Sequence, residues 1–179
     1  PGSPVQAQLG GNSYNPALAA DAAGGVWLAW YSNAGPAGPG IYLQGIEPAT
    51  GAPIGTPIAV PGSRSVANNT AQRLALVGDP TGSGARVIYA TQNSVAGPLY
   101  LVSWSPGEGA PTVVARPTRL PLNVYLATAR HADGRLWVAW YDDGVAAGSG
   151  DGYYAKLGNA RGAGGIEVPL GMPTATATP

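Results

Sequence analysis

Bond-cleaving chemistry needs titratable groups at fixed spacing, and this sequence holds few of them: nine Asp and Glu, nine Lys and Arg, one histidine and no cysteine in 179 residues. Asp142 and Asp143 are the obvious carboxylate pair. Consecutive residues of a strand point to opposite faces, so these two cannot flank one glycosidic bond, and they read as solvated loop-end residues. His131 alone cannot build a multi-histidine zinc site or a Ser-His-Asp relay. The glycine-rich run from Asp142 to Asp151 offers loop oxygens to calcium, but its ligand spacing follows no established calcium loop. Glu47, Glu108 and Glu167 fall at or beside turns or in outermost strands. Residue types and spacing therefore assign no catalytic group, no metal ligand and no cofactor.

Amides beside aromatic rings are a different kind of signal. Ring faces cover the apolar C–H patches of a sugar while amides satisfy its hydroxyls. Asn-x-Tyr occurs twice, at Asn12-Ser13-Tyr14 and Asn123-Val124-Tyr125. With Arg64, Asn68, Arg119 and Asp142 these make up a candidate ligand-binding set, flanked by Asn33, Asn69, Asn93 and Asp143. The competing reading is that the same residues tie down loops and junctions. Either way, they become a site only if the fold brings them to one place.

That fold is legible as a repeat. Gly24 to Asn33 aligns with Gly134 to Asp143, sharing Trp-x-Ala-Trp-Tyr at a spacing of 110 residues, and a weaker copy, Gly84 to Asn93, lies between them. A second strand with an aligned tyrosine follows each copy, at Tyr42, Tyr100 and Tyr154. Before each copy comes a short apolar strand closed by a turn containing Asp21, Asp79 or Asp133. Pro53 to Val60, Ala110 to Ala115 and Gly165 to Leu170 complete the units.

Four strands joined by hairpin turns, recurring about every fifty residues with no helical apolar period, predict an all-β chain of three four-stranded antiparallel blades of β-propeller type. The blades are placed at residues 12–62, 66–117 and 121–171 of a 1–172 domain, with 173–179 as a Thr/Pro-rich linker or tail. In Val26 to Tyr31 both faces are apolar, as in a strand sandwiched between neighbouring sheets, so Trp27, Trp30, Trp137 and Trp140 are expected to be buried. Propellers close with about four to eight blades. Three blades thus predict a partial propeller or half of a six-bladed ring, completed by homodimerisation or by further blades.

Composition limits the partners. A formally neutral chain with a tenth of its residues charged has no basic field for nucleic acid, and no apolar run reaches the length of a membrane-inserting helix. Glycine and proline make up about a quarter of the chain, but 45% hydrophobic residues and 14 Trp and Tyr (5 plus 9) argue for turns rather than disorder. The Thr/Pro-rich stretch Pro173 to Pro179 and a start at Pro1 suggest a trimmed product, extracellular or at the cell surface.

The Asp-containing turn before a Trp-bearing strand, Asp21 to Trp27 and Asp133 to Trp137, resembles the repeats of the sialidase-like propeller superfamily, whose hairpin motif is Ser-x-Asp-x-Gly-x-Thr-Trp. Here the serine and threonine are missing and the Asp-to-Gly spacing varies, so the aspartate reads as a turn former. A sialidase of that family would need three arginines, a Tyr/Glu pair and an Asp acid/base. Arg119-Leu120-Pro121, the nearest counterpart of its Arg-Ile-Pro element, lies before the third unit instead of the first. The function expected is a non-catalytic secreted propeller module that binds a glycan or a protein, or forms a structural part of a larger extracellular protein. The alternative is a fragment of a propeller glycoside hydrolase or lyase whose catalytic residues lie partly on absent blades.

Overall fold

The structure is a computed structural model that describes residues 12–63, 74–91, 100–116, 126–142 and 152–170. These form three four-stranded antiparallel sheets in which each strand pairs with its neighbour in sequence. Sheet one holds β1 (Ser13–Ala20), β2 (Val26–Gly35), β3 (Gly38–Ile46) and β4 (Pro53–Ala59). Sheet two holds β5 (Leu74–Gly78), β6 (Ala85–Ala90), β7 (Leu101–Trp104) and β8 (Thr112–Ala115). Sheet three holds β9 (Leu126–Arg130), β10 (Leu136–Asp142), β11 (Gly152–Gly158) and β12 (Glu167–Leu170). The all-β reading and the twelve strand positions agree with the sequence expectation to within a few residues.

Two apolar cores lie between the sheets. The first joins Ala29, Tyr31, Ile41 and Leu43 of sheet one to Leu74, Leu76, Val87, Tyr89, Val102 and Trp104 of sheet two. The second joins Ala75, Ile88, Ala90, Leu101 and Val114 of sheet two to Leu126, Leu136, Val138 and Trp140 of sheet three. Sheet two is therefore buried on both sides, and all six residues of β6 are inaccessible. This explains its unbroken apolar run. The closest approaches between sheets run through first and second strands, β1 with β5, β2 with β5, β5 with β9 and β6 with β9. At one of them Gly78 lies so near the Ala20 carbonyl that an added Cβ would stand 1.8 Å from its oxygen, which only glycine tolerates.

The register of the middle unit differs from the one expected. Equivalent backbone hydrogen bonds close the first turn from Asp21 N to Gly25 O, from Asp79 N to Gly84 O and from His131 N to Arg135 O. The middle turn is one residue longer. Its β6 thus matches its counterparts one position later, with Arg86 at the place of Trp27 and Trp137 and Tyr89 at that of Trp30 and Trp140. His131 takes the place of Asp21, and Asp133 comes two residues later. Across to the third strands Trp30 pairs with Tyr42, Tyr89 with Val102 and Trp140 with Tyr154, so Val102, not Tyr100, is the counterpart of Tyr42 and Tyr154.

With that correction each sheet has two distinct faces. Trp27, Ala29 and Tyr31 form the leading face of β2, turned toward sheet two, while Val87 and Tyr89 form the trailing face of β6, turned back toward sheet one. Trp30 and Trp140, on trailing faces, are 3% and 2% exposed, and Trp27 is half-buried against the first core. Trp137 departs from the expectation, being 39% exposed. It sits on the leading face of sheet three, and no described sheet follows to cover it.

Candidate functional site

An up-and-down sheet has two ends. In each unit the turn between first and second strands and that between third and fourth strands lie at one end of the sheet, the turn end, and the described β2–β3 loop of sheet one lies at the other, the loop end. The turn end carries most of the described charges, and these are engaged with the scaffold. Asp21 Oδ1 accepts the amides of Ala23 and Gly25 at 3.0 and 2.7 Å, the bonding of a turn-forming aspartate. Its Oδ2 accepts Trp27 Nε1 and the Gly84 amide of the next unit, both at 2.8 Å. The indole donor first, and the Gly84 amide after it, hold this carboxyl below its usual range. Asp79 accepts the amide and hydroxyl of Thr81, which likewise lower its pKa. Asp133 is pulled to about 2, chiefly by the Arg135 amide, with His131 and the Arg135 side chain adding to it.

Between sheets two and three the turn end holds a buried ionic cluster that sequence reasoning missed. Arg86 makes a two-pronged contact with Glu108 at 2.7 and 3.1 Å, and Arg161 reaches the same carboxylate at 3.1 Å. Burial pushes the Glu108 carboxyl up, and the Arg86 guanidinium, the Ser105 amide and Arg161 more than offset this, leaving it below its usual range. Ser103 takes a bond from Arg86 and donates to the Arg161 carbonyl, and the buried Lys156 ammonium donates to the Val114 carbonyl. Burial lowers the Lys156 pKa. The signal for this cluster was an arginine inside an apolar strand, Ala85-Arg86-Val87-Ile88.

The loop end is where the sequence placed a ligand. Of the predicted set, Asn12 and Tyr14 are described there. The Asn12 amide donates to Asn33 Oδ1 at 2.9 Å and its carbonyl accepts the Asn33 amide at 3.1 Å, so the two asparagines staple β1 to β2. The Tyr14 ring lies 6.4 Å from that of Tyr31 and packs on the first core. Directly after Tyr14, Asn15, at φ 55°, sits in the register shift of β1 between Tyr14 and Ala17, a backbone region that asparagine tolerates. Asp142 ends β10 on the same end. Arg64, Asn68, Arg119, Asn123 and Tyr125 lie outside the described residues, as do Asn69, Asn93 and Asp143.

Beside this end, sheet one has an open cleft of about 430 Å³ lined by Pro39, Ile41, Tyr42, Val60, Pro61 and Ser63. Its polar groups are satisfied internally. Tyr42 Oη donates to the Gly38 carbonyl and accepts the Ala37 amide, and Ser63 Oγ donates to the Val60 carbonyl and accepts the Ile41 amide. Tyr89 Oη donates to the Pro61 carbonyl across the first seam.

No known protein family, curated protein or solved structure matches the chain. The site must be judged on its own chemistry. No group of three or more His, Cys, Asp or Glu suited to a metal ion occurs among the described residues, and none of their helices is long and apolar enough to cross a membrane. The described loop end thus presents exposed Asn12, half-buried Asn33 and Tyr14 and buried Tyr31, groups that also hold β1 to β2, while the turn end holds locked charges.

Proposed function

We propose that the chain is a non-catalytic, extracellular β-propeller module whose loop end binds a glycan or a protein, alone or as part of a larger extracellular protein. One observation carries this reading: the described ionisable groups of the turn end are held in turns, ion pairs and seams between sheets, whereas the described loop end is built mainly from asparagines and tyrosines, with Arg116 stacked on Tyr100 and Asp142 at the end of β10. General acid/base catalysis needs a titratable group poised near its working pH, and carboxylates drawn below their usual range by donors that also hold the fold are not so poised. Amides and ring faces suit sugars and peptide backbones. The propeller reading is supported by the approach of the sheets through their first and second strands, as blades approach around a central axis. The Thr/Pro-rich composition of residues 173–179 supports an extracellular setting.

The test is a glycan array and an aryl-glycoside panel, sialosides included, run with the purified chain. Binding without turnover, weakened by Asn33→Ala and Tyr14→Ala, is the expected result. Turnover abolished by Arg119→Ala would establish the hydrolase instead.

A further inference from the structure

We propose that the leading face of sheet three is a docking surface for a second copy of this chain, which seats the trailing face of its own sheet one there. Two such contacts related by a two-fold axis would close six sheets into one ring. The inference extends the propeller reading above without depending on what the loop end binds.

The first observation is that the chemistry of the missing partner is already on view. Trp27, Ala29 and Tyr31 on β2 recur as Trp137, Ala139 and Tyr141 on β10, and the flanking pair Ala17 and Ala19 on β1 recurs as Ala127 and Ala129 on β9. In sheet one this face is covered by the trailing face of sheet two, through Leu76, Val87 and Tyr89. In sheet three the same face is open: Trp137, Tyr153, Val168 and Leu170 are 39, 47, 50 and 48% exposed. Its strand residues are aliphatic or aromatic with no charged side chain, which suits an apolar sheet better than a hydroxyl-rich sugar.

The second observation lies at the opposite end of the array. Leu18 holds the place on sheet one that Leu76 holds on sheet two. Leu76 is 8% exposed in the first seam, whereas Leu18 is 67% exposed. Leu28 beside it is half-buried, and Trp30 and Tyr42 are buried. Each end of the array thus leaves open a residue whose counterpart is covered inside it; on sheet one the opening is the first strand around Leu18 and Ala20, while the centre of that face, at Trp30 and Tyr42, is already covered.

Area decides between one contact and two. Four strands about 4.8 Å apart and about six residues long at ~3.3 Å each present a footprint of roughly 400 Å². That is about half of the ~800 Å² each partner gives to a stable interface. A two-fold arrangement uses both ends of both copies and supplies the full area, whereas an unclosed head-to-tail contact grows into a chain. Six sheets also lie within the usual closure range of about four to eight.

Light scattering and equilibrium sedimentation of the full chain at micromolar concentration test the proposal. The expected mass is twice 17.9 kDa, unchanged at high salt because the seam has no ion pairs to screen. Leu18→Glu and Trp137→Glu should each weaken association by roughly a hundredfold, since every contact contains one residue of each kind. Val113→Glu, the same kind of change at an exposed site of β8, should leave the dimer intact. Far-UV circular dichroism of the monomeric variants should match the parent, both sites being exposed. A parent chain that remains monomeric would overturn the proposal while leaving the glycan test untouched. A dimer broken by Trp137→Glu but not by Leu18→Glu would overturn it in favour of sheet three pairing with itself. Open-ended oligomers would rule out the two-fold ring, and a dimer that survives both variants would place the interface elsewhere.

Discussion

The two seams of the molecule solve one packing problem with different chemistry. The seam between sheets one and two is apolar through its middle and is fixed at the turn end by backbone: the Ala22 amide donates to the Asp79 carbonyl, Gly78 presses on Ala20, and Asp21 takes the Gly84 amide. The seam between sheets two and three carries Arg86 where the other units carry tryptophan, and with it Glu108, Ser103, Arg161 and Lys156. A repeat fold constrains where a seam runs and which face meets it. It leaves the chemistry of the seam free, provided that the buried charges are paired, as Arg86 is through both terminal nitrogens while its Nε and Trp140 Nε1 make no hydrogen bond.

The largest expected effect on this contrast comes from the second seam's apolar half. Trp140 is 2% exposed and stacks on Tyr154 at 5.9 Å, so Trp140→Ala should cost about 3–5 kcal/mol in urea unfolding monitored by far-UV circular dichroism. The polar half comes next. Glu108→Gln leaves the Arg86 and Arg161 guanidinium groups without their carboxylate and should cost about 2–3 kcal/mol. The double change Arg86→Met with Glu108→Leu should recover most of that loss, because replacing both partners removes the stranded charge. No recovery would mean that the ion pair itself, and not its desolvated remainder, stabilises the seam.

The smallest effect is in acid. Asp21, Asp79, Asp133 and Glu108 all have folded-state pKa values below their usual ones. A carboxyl so depressed contributes stability that is complete above its unfolded pKa and is lost as pH falls through the folded one. For Asp133 the window runs from 3.8 to about 2. Thermal midpoints should therefore hold level above about pH 5 and fall below about pH 4. Asp21→Asn and Asp133→Asn should each flatten that fall, the Asp133 change less so at high salt, because the Arg135 amide bond persists there while its exposed ion pairs are screened.

The strands and turns were legible because glycines and prolines punctuate them and tryptophans recur. The register of the middle unit was not. Both faces of β6 are apolar, so a one-residue slip, which exchanges its faces, leaves the sequence pattern equally satisfied. The extra residue between Asp79 and Gly84 is absorbed in a turn that shows no motif. Trp137 was misjudged for a related reason, since Trp-x-Ala-Trp-Tyr reads the same whether or not a sheet follows. Of the candidate site, Asn12 and Tyr14 were found at the loop end and do tie down structure, through Asn33 and the first core. The ionic cluster escaped because Arg86 and Glu108 lie 22 residues apart and meet only once β6 and β7 are paired.

The burial of β6 on both sides has a consequence for the chain outside its native state. Arg86-Val87-Ile88-Tyr89-Ala90 is a short run of strong strand formers, the kind of segment that stacks into intermolecular cross-β ladders when released. Its single charge stands near the start of the run, the place of a gatekeeper. The arginine that locks the second seam in the folded protein is the residue that opposes aggregation of the same strand during synthesis and refolding.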